Sequence, residues 1–333
     1  MTQKELHEIV ETKETNICQI VAYKDGKEVY SDTWNGYQEN DACHVMSVTK
    51  SVVALLIGIA VDHGLIKSVD QPVLDFFPEY RIKRGEKTIQ KVTIRHLLTM
   101  TAPYKYKSEP WTKVCTSDDW TVAALDLLGG RAGITGQFRY STLGVHILTG
   151  ILAKVSGKKT VEFANEYLFK PLGIFQHENY FAKTAEEHKK FTLSKEPRKH
   201  VWFCDPQGVG TAGYGLCFSA KDMAKIGQLC LQSGRHNGRQ VVSETWIKEI
   251  TTPYQNCGKM YGGMCYGYLW WIPFEGEKTF AAVGDGGNVI YVHPEKNIVI
   301  AVAATFKARV FDRVDFIRNY IETYAGTVQA ESE

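Results

Sequence analysis

The sequence predicts an α+β protein: an antiparallel sheet flanked by helices and interrupted by an all-helical insert. Three observations point there. Two strand-like runs, 17–23 and 27–34, surround Asp25-Gly26, a strong hairpin signal. Further strand-like runs, 266–272, 279–283, 289–293 and 298–305, crowd the other end of the chain. They are joined mostly by turns, which favours antiparallel pairing over βαβ units. From about 67 to 206, Pro72, Pro78, Pro103 and Pro110 punctuate short helical stretches with little alternation of period two. The sheet therefore takes 1–66 and 207–333, and the insert takes 67–206.

The elements follow in order. Residues 4–12 form a short helix. Residues 44–64 form a second, apolar almost all round and so buried on all sides, with Gly64 as its C-cap. In the insert, 94–100, 123–128, 143–155 and 161–168 read as helices, and the polar, basic stretch 183–200 as a solvated loop. Residues 219–233 have helical spacing through Met223, Ile226, Leu229 and Cys230, and 243–250 is another helix. Pro294 to Asn297 turn the chain between the last two strands. Residues 310–324 close as an amphipathic helix, and the last eight residues fray.

Composition narrows the function. The 333 residues are 44% hydrophobic and 23% charged, ordinary for a folded globular chain. The 39 Lys+Arg against 37 Asp+Glu leave a formal charge of +2, no field to hold a nucleic-acid backbone. The longest apolar run, 52–61, is too short to span a bilayer. The first ten residues hold no continuous apolar segment of a secretory leader, so a cytoplasmic location is expected. The eight cysteines are then free thiols. No C-x-x-C or H-E-x-x-H occurs, and no metal is expected.

Three stretches carry candidate chemistry. Ser47-Val48-Thr49-Lys50 opens the apolar helix. Residues three apart share a helix face, so Ser47 and Lys50 can meet. A serine hydroxyl needs a base, and a lysine becomes one when burial lowers its pKa. A second S-x-x-K, Ser156 to Lys159, sits in a glycine-containing turn and reads as solvated. Gln137-Phe138-Arg139-Tyr140-Ser141-Thr142 follows a glycine-rich turn and opens a helix, where Tyr140 can relay a proton; a tyrosine packed on the core is the plainer alternative. Gly284-Asp285-Gly286-Gly287-Asn288 lies between two strands. Its glycines allow close approach of a ligand, or simply a hairpin turn.

In this order the three elements resemble the serine β-lactamase and penicillin-binding-protein-like superfamily, in the branch of class C β-lactamases, D-alanyl-D-alanine peptidases and esterases. The family's S-x-x-K is matched by Ser47 and Lys50. Its Tyr-x-Asn is matched by Tyr140-Ser141-Thr142, with Thr142 where Asn is usual; Tyr254-Gln255-Asn256 fits literally but lies in the wrong place. Its Lys-Thr-Gly or His-x-Gly box is matched in position by Asp285-Gly286-Gly287. Thr93 to Thr99, Ala212 to Leu216, Ser219 to Ala224 and Tyr266 to Trp271 extend the likeness, which covers roughly 15 to 322.

The resemblance implies a site between sheet and insert and acyl transfer through an acyl-serine. Lys50 and Tyr140 would share the base and acid roles, and the N–H groups of Ser47 and Asn288 would form the oxyanion hole. No metal or organic cofactor is implied. The partner is a small-molecule acyl substrate, with neither nucleic acid nor membrane, and oligomeric state is left open. Asp285 stands where a cation usually meets the substrate carboxylate and would repel it. Thr142 lacks the amide of the usual Asn. The expectation is therefore an esterase or amidase for small acyl substrates, including ones with a cationic group near the bond, rather than an efficient β-lactamase. Tyr104, Tyr106, Trp111 and Trp120 are expected to wall the pocket. The altered boxes also admit a non-catalytic sensor or ligand-binding protein on the same fold.

Overall fold

Asp25 (φ 51°) and Gly26 (φ 77°) both hold left-handed backbone, the turn that matches the twist of a two-residue hairpin. They join Ile17–Lys24 to Lys27–Thr33. A computed structural model of the chain describes residues 1–308, 310 and 312–328. In it this hairpin forms one side of an eight-stranded antiparallel sheet. The strand order is Lys27–Thr33, Ile17–Lys24, Ile298–Ala304, Asn288–His293, Phe280–Gly284, Trp271–Ile272, Cys265–Tyr266, Gln255–Asn256. The first strand of the chain thus pairs with the last, Ile20 opposite Val302.

Both faces of this sheet are covered, so its central strands are apolar on both sides. Val299, Ala301 and Ala303 join the larger core, against helices Ala220–Leu231 and Val48–Asp62. Ile298, Ile300, Val302 and Ala304 face a second core with Leu6 and Val10 of helix Gln3–Lys13 and Val314, Ile317 and Ile321 of the C-terminal helical segment. Gly227 lets the first helix approach closely, since an added Cβ would lie 2.5 Å from Val299.

Helix Val48–Asp62 is buried from Val48 to Ala60, as its unbroken apolar composition demands. It starts four residues later than the sequence suggested. Cys43–His44 is a short strand paired with Cys217–Phe218, and Met46 (φ 51°) takes a left-handed turn before Ser47. The insert is helical except for a parallel pair, Glu178–Tyr180 with Val201–Phe203.

Other differences have local causes. The expected strand 266–272 is instead two strands, Cys265–Tyr266 and Trp271–Ile272, paired antiparallel around a bend at Leu269 (φ 59°). The expected loop 183–200 contains helix Ala185–Leu193. Thr184 caps it by accepting from the Glu187 N–H, and two glutamates sit in its first turn. Only Phe191 is buried on it, so no apolar period announces it. The helix expected at 143–155 is His146–Ser156, which leaves Tyr140 to Thr142 in irregular chain ahead of it. At the C-terminus Arg313–Phe316 passes into the wider turns of Ile317–Glu322 and then Thr323–Thr327. Position 311 of the expected helix, and 329–333 of the expected fraying end, lie outside the described residues. No helix among the described residues is long and apolar enough to cross a membrane.

Candidate active site

Ser47 occupies the N-cap position of helix Val48–Asp62, yet its side chain makes no capping hydrogen bond. Its hydroxyl is held by the residue one turn on: Lys50 Nζ lies 2.8 Å from Ser47 Oγ. The same nitrogen donates to the Gly213 carbonyl at 2.6 Å and lies 3.3 Å from Thr142 Oγ1. It also sits over the Tyr140 ring, 4.7 Å from its centroid. Lys50 is 1% exposed. Desolvation by that burial lowers its pKa to about 7, although Glu109 and Asp285 both favour the charged form.

Tyr140 is pushed the other way. Burial raises its phenol well above the usual value, with the Asp285, Tyr261 and Glu109 groups adding to the rise, while a hydrogen bond from the Ser47 side opposes it. Its ring stacks on Trp271 (centroids 5.9 Å apart, 23° between planes) and meets Tyr261 and Tyr266. An amine that releases its proton near neutrality therefore faces a phenol that keeps its own.

A cavity of about 420 Å³ opens above Ser47. Thr142, Gly213 and Asp285 line it close to the hydroxyl, and Trp111, Tyr214 and Leu193 form apolar wall. His44 also lines it, but burial lowers its pKa to about 3, and its Nε2 accepts from the Gly215 N–H at 2.9 Å. It is a neutral structural imidazole.

The third sequence element is a tight hairpin turn. Gly287 N donates to Gly284 O at 3.1 Å, and Gly286 (φ 81°) and Gly287 (φ 80°) hold conformations that favour glycine. Gly284 lies against the start of the Ser47 helix: an added Cβ would be 2.4 Å from Val45 O and 3.0 Å from Ser47 N. Asp285, next along, is exposed and lines the cavity.

The remaining positions of this box are spent on structure. Space beside Gly286 is taken by Thr305 O, and beside Gly287 by the Arg313 guanidinium. Asn288 is fully buried and lies opposite Gly284 in the ladder. Its amide donates to Asp285 O and Ala304 O, and accepts from Ala304 N.

Of the aromatic residues expected around the pocket, Trp111 lines the cavity. Tyr104 does not: it stacks on Tyr106 in the packed insert and fills the space beside Gly144. Trp120 is buried against His146, His188 and Phe203. The second S-x-x-K is unrelated to the cavity. Ser156 donates to Leu152 O, and Lys159 reaches Gln207 O. Tyr254 stacks on Tyr268 at the far side of the sheet.

A wall not expected from the sequence comes from helix Ala185–Leu193: Ala185, His188, Lys189, Thr192 and Leu193. The cap signal Thr184-Ala185-Glu186-Glu187 was present and marks such a helix without an apolar stripe. Glu109, which no motif marks, binds the Tyr140 segment through Ser141 and Leu143.

A buried S-x-x-K at the head of a helix, between an antiparallel sheet and a helical insert, defines the serine hydrolases of the penicillin-binding type. The chain belongs to the Beta-lactamase family, which it matches over residues 8–323, and it is a serine hydrolase of that family. It is 24% identical over 298 residues to the 6-aminohexanoate-dimer hydrolase of Paenarthrobacter ureafaciens, covering 83% of this chain and 69% of that protein. The octameric penicillin-binding protein homologue from Pyrococcus abyssi superposes with a TM-score of 0.72 at 26% identity, over 97% of this chain and 78% of that one. A family VIII carboxylesterase shares the fold with a TM-score of 0.69 at 15% identity, over 96% of each chain.

Proposed function

We propose that the chain is a cytoplasmic esterase or amidase for small acyl substrates. Ser47 is the nucleophile, Lys50 the general base and Tyr140 the general acid. The observation that carries this reading is the buried amine 2.8 Å from the serine hydroxyl, with its pKa brought down to about 7. At neutral pH a large share of Lys50 is uncharged and can accept the Ser47 proton as Oγ attacks the substrate carbonyl. The Tyr140 phenol stays protonated, which suits it to hand a proton to the leaving oxygen or nitrogen. Water then attacks the acyl-serine ester, giving up its proton to the same pair and releasing the acid.

The Ser47 N–H is one oxyanion donor. The second is assigned to the Asp285 N–H rather than that of Asn288. Gly284 packs so near the Ser47 amide that an added Cβ would lie 3.0 Å from Ser47 N, and Asp285, the next residue, lines the cavity, whereas Asn288 is enclosed in the sheet. Losing one such donor costs about 10²–10³ in rate.

The Asp285 carboxylate at the cavity wall disfavours substrates with an anionic group near the scissile bond. This supports neutral or cationic esters and amides over penicillins and cephalosporins. The relative of Paenarthrobacter ureafaciens is itself named a 6-aminohexanoate-dimer hydrolase. Location in the cytoplasm fits eight cysteines that stand as free thiols.

Hydrolysis of p-nitrophenyl butyrate and of a chromogenic cephalosporin tests the substrate reading. The ester is expected to be cleaved with the higher kcat/KM, by about tenfold or more, the size of a repulsion of about 1–2 kcal/mol. Asp285→Asn narrows the gap. A cephalosporin preference that survives in the wild type overturns the reading, and no turnover of any ester, amide or β-lactam would favour a sensor instead.

A further inference from the structure

The segment that carries Tyr140 and Thr142 has no secondary structure to hold it, and yet both side chains must stay within reach of Lys50. We propose that Glu109 is the positioning residue of this enzyme, fixing the 140–143 chain against the Ser47–Lys50 pair. The proposal deepens the hydrolase reading above and rests on it.

One carboxylate oxygen gathers the contacts. Glu109 Oε1 accepts from Ser141 Oγ at 2.8 Å, from the Leu143 N–H at 2.9 Å and from the Tyr106 hydroxyl at 3.3 Å. Ser141 is fully buried, and its hydroxyl also meets Tyr106 at 2.7 Å and the Gly144 N–H at 2.8 Å. Two of these bonds, from Ser141 and from Leu143, tie the segment directly to the Glu109 carboxyl group. Arg139 closes the other end: it donates to Tyr104 O at 2.9 Å and also to Tyr106 O, with its guanidinium 4.6 Å above the Tyr106 ring. The loop from Tyr104 to Glu109 and the segment from Arg139 to Leu143 are thereby laced together.

The lacing reaches the reacting groups. Thr142 O packs against Gly213, where an added Cβ would lie 2.4 Å from it, and the Gly213 carbonyl is the one that holds Lys50 Nζ. A slip of Leu143 therefore moves Thr142, then Gly213, then the amine. The titratable groups facing Lys50 are Glu109, Asp285 and the Tyr140 phenol, and both carboxylates favour the ammonium form. Glu109 thus has two separable effects, one through its hydrogen bonds and one through its charge.

Two variants separate them, assayed by p-nitrophenyl butyrate hydrolysis across pH 5–9, with a fluorophosphonate adduct on Ser47 measured by intact mass. Glu109→Ala removes acceptor and charge. It is expected to lower kcat by about 10–100-fold with little change in KM, the scale of a displacement of about 1 Å. Glu109→Gln keeps an acceptor for Ser141 and Leu143. It is expected to restore kcat to within about threefold of wild type, while the acid limb of kcat/KM moves to lower pH because one carboxylate no longer favours charged Lys50. Wild-type kcat and pH profile in Glu109→Ala would overturn the proposal. So would a Gln variant as slow as the Ala variant with an unmoved acid limb. If Glu109→Ala does not fold, Glu109→Asp, which keeps the charge but draws the acceptor back by one methylene, takes its place: kcat is expected to fall by about tenfold or more with the acid limb unmoved, and a wild-type kcat overturns the proposal. Absence of ester turnover and of a Ser47 adduct in the wild type would instead sink the hydrolase reading.

Discussion

Ser47→Ala is expected to abolish turnover, lowering kcat for any ester by about 10⁴-fold or more, as removal of a catalytic serine does elsewhere. The loss comes from chemistry, not from folding. The Ser47 side chain caps nothing and is only half-buried, so its removal deletes no helix cap and leaves Lys50 its bond to Gly213 O. The variant should melt within a few degrees of the wild type. What disappears is the one oxygen that can form an acyl bond beside the Lys50 amine. The check is intact mass after a fluorophosphonate probe, alongside kcat. Wild type should carry one adduct on Ser47 and the variant none. A Ser47→Ala protein that keeps more than about a hundredth of the activity would mean that another group accepts the acyl chain.

The second large effect belongs to Lys50. Lys50→Ala should lower kcat by about 10²–10⁴-fold, the usual contribution of a positioned general base. Its wild-type signature is a pH profile. A base works in its unprotonated form, so kcat/KM should rise with pH through about 7, where burial has brought this amine. An unperturbed lysine would place that rise near 10.4. His44 cannot supply the limb, because burial keeps it neutral down to about pH 3. A profile flat from pH 5 to 9 would show that Lys50 is not the group that titrates. Thermal melting of Lys50→Ala separates loss of the base from loss of fold, since the amine also holds Gly213 O and approaches Thr142.

Much of this was written in local sequence. Asp25-Gly26 announced the first hairpin, because few pairs accept two left-handed residues in succession. The run from Val52 to Val61 announced a helix buried on all sides, and it encloses Lys50 as that composition requires. The turn-joined strands near the end announced antiparallel pairing, and the structure adds that this sheet is covered on both faces. Helix Ala185–Leu193 was obscured because only one of its residues enters the core. The expected strand 266–272 is broken by a left-handed Leu269, and leucine gives no sign of that conformation in the sequence.

The family, the sheet built from both chain ends and the Ser47–Lys50 pair are legible in the chain alone, because the pair depends on spacing along one helix and the family on three boxes in a fixed order, two of them altered. Which atoms surround that pair depends on long-range packing. Gly213, Glu109 and Asp285 come from chain more than 50 residues away from Lys50 and meet it through packing that no local period encodes. The same holds for Asn288 and Tyr104. Their side chains look equally able to face a ligand until the fold turns one into the sheet and the other into the insert.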